Sequence, residues 1–273
     1  MNWNFALSSA DSAPSSAPIL LQGSIKENLR MAAALGYNGL EVHVRENAFL
    51  NYEDILNTSQ ECGVKIAAII TGRLNTQGGV NLIDDRPYIV EAAMQGMRSY
   101  IDMASRLQSD IVIGWVKGQI PTGTAPQIYL ERLAHNLKII CNEACGKGVK
   151  VFLEVINRYE VNIFTTAKET VEFIDHWAIS NCYVHLDTFH MGIEETDAIS
   201  AIRLCGNKLG YFHAADNTRR YPGSGTFHFG EYFEALKEIG FKGYVSVECL
   251  PLPDWKTAAQ NAIQHLKQCA ASL

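Results

Sequence analysis

The sequence predicts one α/β domain, a (β/α)8 TIM barrel, on three observations. Its 273 residues suit a single large α/β unit, since such barrels run to about 250 residues. Short apolar runs alternate with amphipathic helical stretches eight times along the chain. Those runs are nearly continuous in apolar residues, as parallel strands buried on both faces are. Eight of them close into a barrel, so the expected domain is residues 1–273 with no internal boundary. A doubly wound open sheet competes, but no glycine-rich fingerprint follows the first strand.

The first strand is short, Phe5 to Ser8, and runs into Ser/Ala/Pro-rich loop sequence up to Pro18. Ser24 opens a helix through Leu35, with Ile25, Leu29, Ala32 and Ala33 on one face and Gly36 stopping it. Asn38-Gly39 turns into a second strand, Leu40 to Val44, and an amphipathic helix follows from Tyr52 to Cys62, ended by Gly63. Val64 to Ile70 is an almost wholly apolar third strand, followed by a Gly/Asn-rich loop and a long helix from Arg86-Pro87 to Leu107. Ile111 to Trp115 is the fourth strand and Pro126 to Cys145 the fourth helix, closed by Gly146. The second half repeats the pattern: strand Val149 to Val155, helix Thr166 to Trp177, strand Tyr183 to Asp187, and a helix through Leu204. Strand Leu209 to Ala214 leads through Tyr221-Pro-Gly-Ser-Gly225 to a helix over Phe229 to Ile239. Strand Gly243 to Glu248 and a helix from Asp254 to Ala271 complete the chain.

The bulk numbers exclude several classes. A chain 47% apolar and 19% charged is ordinary for a soluble globular protein. A net charge of −6, with no basic run longer than a pair, leaves nothing to grip a nucleic-acid backbone or an anionic membrane. Seven scattered cysteines without a CxxC pair read as reduced thiols in a cytoplasmic protein. The amino terminus lacks the basic and apolar regions of a signal peptide, and no stretch is long and apolar enough for a membrane span.

Four stretches carry the chemistry: Glu154-Val-Ile-Asn-Arg-Tyr-Glu160, Leu186-Asp-Thr-Phe-His-Met191, His213-Ala-Ala-Asp-Asn-Thr-Arg219 and Val247-Glu248. Each delivers a metal-competent side chain at the C-terminal end of a strand: Glu154, Asp187, His213 and Glu248. A single buried acid is usually a cap or an ion-pair partner. Four such groups on successive strands, all at the end where barrels of this kind place their chemistry, point to one metal site. Three carboxylates and one imidazole suit Mn²⁺ first, with Mg²⁺ and Co²⁺ close behind and Zn²⁺ as the outlying option. A cation there polarises a ketone and its neighbouring hydroxyl, while Glu154 and Glu248, three strands apart, flank the substrate as general base and acid.

These stretches resemble the sugar isomerase/epimerase family with a xylose-isomerase-like barrel, and within it the ketose 3-epimerase branch. The region Tyr211 to Pro253, with Pro222-Gly-Ser-Gly225 and Glu248-Cys-Leu-Pro-Leu-Pro253, is most similar to 5-keto-L-gluconate/tagaturonate-type epimerases. The resemblance implies that Glu154, Asp187, His213 and Glu248 bind the metal and that the two glutamates are the catalytic acid/base pair. It implies that Glu160, His190 and Arg219 grip the substrate oxygens, and that the protein pairs into a dimer or tetramer. Val155-Ile156 departs from the branch's usual Pro-Leu, and the first half of the chain, which shapes the specificity pocket, matches less well.

Single residues divide between bland and functional readings. His190 is a capping histidine or a substrate contact, and Arg219 a surface ion-pair partner or a pocket residue. Trp115 is core or a sugar-stacking wall, and is taken as substrate-binding. His185, where the family usually carries an apolar residue, fills the barrel. Arg45, Arg73 and Lys117 read as solvated loop cations, each with a secondary role as binder of a substrate carboxylate. Glu41 and His43 stand between supporting the metal ligands and lining the pocket.

The leading function is a divalent-metal-dependent epimerase inverting the carbon next to the ketone of a ketose or keto-sugar acid, through an enediolate. An aldose–ketose isomerase of hydroxypyruvate-isomerase type and an inosose-type dehydratase need the same groups and remain as alternatives. A DNA-directed endonuclease IV relative is rejected, because Thr71 and Trp115 stand where that branch places histidines on strands three and four. A non-catalytic sugar-binding barrel is disfavoured by the intact glutamate pair.

Overall fold

The computed structural model describes residues 3–272; Met1 and Asn2, part of the sequence read against a signal peptide, lie outside them. Eight parallel strands pair in chain order: β1 (Asn4–Ala10), β2 (Gly39–His43), β3 (Lys65–Ile70), β4 (Asp110–Ile113), β5 (Val151–Glu154), β6 (Cys182–Asp187), β7 (Leu209–Ala214) and β8 (Tyr244–Val247). β1 also pairs with β8, Asn4 to Leu7 against Tyr244 to Val247, and this closes the barrel. A two-residue strand, Leu21–Gln22, adds to the end of β1. None of the helices among the described residues is long and apolar enough to cross a membrane.

Helix ends follow local chemistry. Ser24 and Glu27 form a reciprocal capping box, and Gly36 ends that helix in the left-handed region at φ 88°. Two expectations need correction. The helix expected to run on from β6 is two, Thr188–Glu194 and Ala198–Cys205. Asp197 breaks it by accepting from the Ile199 and Ser200 amides, which starts a new helix. β4 stops at Ile113 rather than Trp115, because Gly114 leaves the extended conformation and Trp115–Lys117 wind into a 3-10 turn.

The packing separates two interiors. A large apolar layer fills the space between strands and helices. Inside the barrel the apolar set is small, with Ala6, Ala68, Ile70, Val112, Phe152 and Tyr211 at its centre, and Phe152 stacks on Tyr211 with centroids 5.4 Å apart. Above that plug the buried side chains are polar: Ser8, Glu41, His185, Asp187, His213 and Ser246. A barrel core of apolar layers would be the more stable filling, so this polar upper half is where function displaces packing.

Tyr100 anchors the outer layer to the mouth of the barrel: it is fully buried, and its hydroxyl donates to the Val44 carbonyl just past β2 at 2.7 Å. Tyr100→Phe leaves that carbonyl without its partner. The expected loss is about 1–3 kcal/mol of stability, read as a lower urea midpoint with unchanged slope.

Candidate active site

Local structure brings the strand ends together. Thr188 Oγ1 donates to the Ala215 carbonyl at 2.5 Å and accepts from the Ala215 amide at 2.9 Å, which locks the ends of β6 and β7 side by side. Asp187 and His213 therefore face each other. Asp187 Oδ1 caps the short helix through the Phe189 amide at 2.7 Å, leaving Oδ2 to point inward.

His213 is the centre of the cluster. Its Nδ1 lies 3.7 Å from Asp187 Oδ2 and 3.6 Å from Glu248 Oε2, and its Nε2 lies 2.6 Å from Glu41 Oε2. Glu154 joins in two groupings, with His213 and His185 and with Asp187 and His190. In each, one donor atom per residue lies within 4.8 Å of the others. Glu154 and Glu248 thus both border the same imidazole.

A cation suits these groups on two counts. His213 Nδ1 and Asp187 Oδ2 are buried and have no hydrogen-bond partner, a costly state for polar atoms unless something else meets them. Ligand atoms around a small divalent ion bonded at about 2.1 Å stand roughly 3 Å apart or more, and the spacings around Nδ1 are in that range. Three carboxylates and one nitrogen are a donor set for a hard or borderline ion.

The electrostatics carry the same demand for positive charge. Burial alone would push the His213 imidazole down, but Glu41, Glu248 and Asp187 around it hold it well above its ordinary value. Burial raises Asp187, yet His190, His213 and Arg219 bring it below the usual carboxylate range. The two glutamates go the other way. Burial lifts Glu154 to about 7 against the pull of His213 and Lys117, and lifts Glu248 to about 7 against His213 and Arg219. Carboxyls near neutrality both accept and donate protons readily.

Beside the cluster, Asn157 organises the expected substrate contacts. Its Nδ2 lies 2.7 Å from His190 Nδ1 and 3.1 Å from Glu160 Oε1. As that Nδ2 is a donor, His190 accepts on Nδ1 and carries its proton on Nε2, which lies 3.9 Å from Asp187 Oδ2. Arg219 reaches Glu160 Oε1 at 3.2 Å and Glu248 Oε2 at 3.6 Å, with its guanidinium 4.8 Å over the Phe189 ring. Arg219 sits at φ 57°, in a loop folded over Asp216, whose carboxylate accepts from the Asn217, Gly223 and Phe227 amides. Gly225 is needed there, since a Cβ would run into the Asp216 and Asn217 side chains.

Glu160, His190 and Arg219 are therefore gathered, while Trp115 stands apart on its 3-10 turn at 38% exposure. That exposure removes the core reading of Trp115. His185 is fully buried, edge-on to His213 with ring centroids 4.1 Å apart, as barrel filling requires; burial holds it neutral. Lys117 corrects the expectation of a solvated cation. It is fully buried, donates to the Glu154 carbonyl at 3.0 Å, and is lowered to about 8 by burial. Arg73 pairs with Asp11 at 2.7 Å, and Arg45 is exposed. A cavity of 460 Å³ between the loops after β1 and β2 contains none of the clustered side chains.

Sequence reasoning leaves Asn157 and Asp216 without a role, and Glu41 undecided between supporting the metal ligands and lining the pocket. Glu41 had a signal: alternation along β2 puts Glu41 and His43 on one side, and that side is the barrel interior. Asn157 and Asp216 had only their place within the motifs.

Comparison with known proteins agrees with this architecture. A D-psicose 3-epimerase of Ruminiclostridium cellulolyticum is 30% identical over 232 residues, 83% of this chain and 78% of that protein. A 3-dehydro-D-guloside 4-epimerase of Escherichia coli (strain K12) is 25% identical over 260 residues, 90% of this chain and 95% of that one. The crystal structure of a D-allulose 3-epimerase from Methylomonas sp. shares the fold with a TM-score of 0.82, at 23% identity and 98% coverage of both chains. Residues 29–269 match the family model described as a xylose isomerase-like TIM barrel, and the chain belongs to that family.

Proposed function

We propose that the protein is a divalent-metal-dependent epimerase that inverts the carbon next to the ketone of a ketose. The single observation that carries this reading is the pair of buried glutamates, Glu154 at the end of β5 and Glu248 just past β8, both bordering His213. One acid suffices to move a proton along one face of a substrate. Inversion needs a proton taken from one face and another returned to the opposite face.

Glu154, Asp187, His213 and Glu248 would hold the cation, with Mn²⁺ as the first choice and Mg²⁺ or Co²⁺ as substitutes. When bound, it supplies Lewis-acid stabilisation of the charge that develops on the keto and neighbouring hydroxyl oxygens. The chain's own groups do the rest. One glutamate oxygen takes the proton from the carbon, and the carboxyl of the other returns one from the far side. The His190 Nε2–H and the Arg219 guanidinium, both beside the cluster, donate to the substrate oxygens and fix which carbon lies between the glutamates.

The names of the relatives support the same chemistry. A 3-epimerase of a ketose and a 4-epimerase of a 3-dehydro-glycoside each invert a carbon adjacent to a ketone. A neutral ketose fits better than a keto-sugar acid, because Arg219 and Arg73 already face carboxylates and Lys117 is sealed from solvent.

The test is turnover in D₂O with Mn²⁺ across a panel of ketoses and keto-sugar acids. The expected product is an epimer carrying one deuterium at the inverted carbon, with no exchange after the metal is chelated. An aldose product, or one lighter by a water, would replace this reading with an isomerase or a dehydratase.

A further inference from the structure

Glu41 touches none of the groups that meet substrate in the proposed reaction, yet it is fully buried and its carboxylate meets three side chains. Oε2 lies 2.6 Å from His213 Nε2 and 2.9 Å from the Tyr211 hydroxyl, and Oε1 lies 3.2 Å from His43 Nε2. His43 Nε2 is in turn 3.7 Å from Glu248 Oε1.

From these contacts we propose that Glu41 is a positioning residue for the cation site, setting His213 directly and Glu248 through His43. An ionised carboxylate only accepts hydrogen bonds, so His213 must carry its proton on Nε2. For the neutral imidazole that binds a cation, that leaves the lone pair on Nδ1, the nitrogen that faces Asp187 and Glu248. The tautomer, the ring angle and the basicity of the ligand are all set from behind by one acid, as the partners of metal-binding histidines generally do. The second arm acts on charge. Glu41 and Glu248 are like-charged and close, and the His43 N–H stands between them, so Glu248 is held toward the cluster instead of being driven off.

Mere filling of the barrel does not account for this. A buried carboxylate is a poor choice for packing, since an apolar residue would fill the same space without the cost of desolvating a charge. Tyr211 alone could be satisfied by a neutral acceptor. Two histidines aimed at the same carboxylate, both of them also abutting the proposed catalytic acid Glu248, are what a role in placement requires.

The inference rests on the cation reading of Glu154, Asp187, His213 and Glu248, and its test separates the two. Mn²⁺ binding to the whole protein is followed by the electron paramagnetic resonance signal of the free ion, for wild type, Glu41→Gln and Tyr211→Phe. Glu41→Gln is expected to weaken Mn²⁺ binding about 10–100-fold, the usual cost of losing such a partner, while Tyr211→Phe changes it by about threefold or less. Wild-type affinity in a folded Glu41→Gln protein overturns the positioning role and leaves the cation site standing. No Mn²⁺ binding by wild type overturns both. A readout on the unaltered protein guards against a variant that fails to fold: ¹⁵N spectra of the histidines in the Mg²⁺-loaded enzyme. His213 is expected with its proton on Nε2, and a proton on Nδ1 overturns the proposal.

Discussion

Glu154→Gln and Glu248→Gln are each expected to stop epimerisation in both directions, a loss of about 10²–10⁴ in kcat. Glutamine keeps an oxygen for the cation and nearly the same volume, so the change falls mainly on proton transfer. A simple loss of activity would also follow from a weakened metal site, and the decisive measurement is therefore exchange with solvent. In a two-base arrangement each epimer offers its proton to a different glutamate. Glu154→Gln should still exchange the proton of the epimer served by Glu248, returning deuterium to the same face, and should leave the other epimer untouched. Glu248→Gln should show the opposite selectivity. The expected pattern is two variants, neither epimerising, each washing deuterium into one epimer only, followed by NMR of the recovered sugar. Exchange of both epimers by either variant would falsify the assignment of one glutamate to each face.

That arrangement was partly legible in the sequence, for physical reasons. Strands buried on both faces must be apolar along their length, so β3 and β6 announce themselves as runs, and a charged residue closing such a run stands out. Asp187 and His213 are cases of this, at the last and next-to-last residues of β6 and β7. Ser24, Gly36 and Gly63 mark helix ends because caps are local chemistry, satisfied within a few residues. Asp197 is the same kind of cap, masked in the sequence by the longer helical pattern around it.

What stayed hidden depends on partners far away in the chain. Lys117 is buried because the carbonyl of Glu154, 37 residues on, meets its ammonium. No local pattern around Lys117 tells it apart from the exposed Arg45. Arg219 reaches Glu160 and Glu248 because Asp216 folds the following loop back on itself and gives Arg219 a left-handed backbone. Asn157 reads as an ordinary loop residue until His190, 33 residues later, is placed beside it. Glu41 lies between these extremes. Its side of β2 was readable, whereas its three partners come from β2 itself and from β7.

Gly114→Ala is the second substitution expected to have a large effect, although Gly114 bears no functional group. The glycine ends β4 where the chain turns into Trp115–Lys117, and its missing side chain is the space that the Glu154 carboxylate occupies. A Cβ built there falls on Glu154 Oε2, with Ile156 Cδ1 next at 3.6 Å. The atom displaced is the far end of a flexible side chain, so the fold can yield; an effect of about 1 kcal/mol or less on unfolding is expected. The site cannot yield in the same way. Glu154 is bounded by His213 and His185 on one side and by Asp187 and His190 on another, so its oxygen has to move off the substrate line. A misplacement of about 1 Å of an acid/base group costs on the order of 10²-fold in rate, and here the same oxygen also serves the proposed cation. The expected result is a fall of about 10²-fold in kcat with weaker Mn²⁺ binding and a nearly unchanged urea midpoint. Gly230→Ala, where a Cβ meets open space in the first turn of a helix, is the control and should leave kcat and Mn²⁺ binding unchanged, with a urea midpoint equal or higher because alanine favours the helix. Full activity in Gly114→Ala would mean that the Glu154 carboxylate works from another position, and the proposed assignment of one glutamate to each face would lose its support.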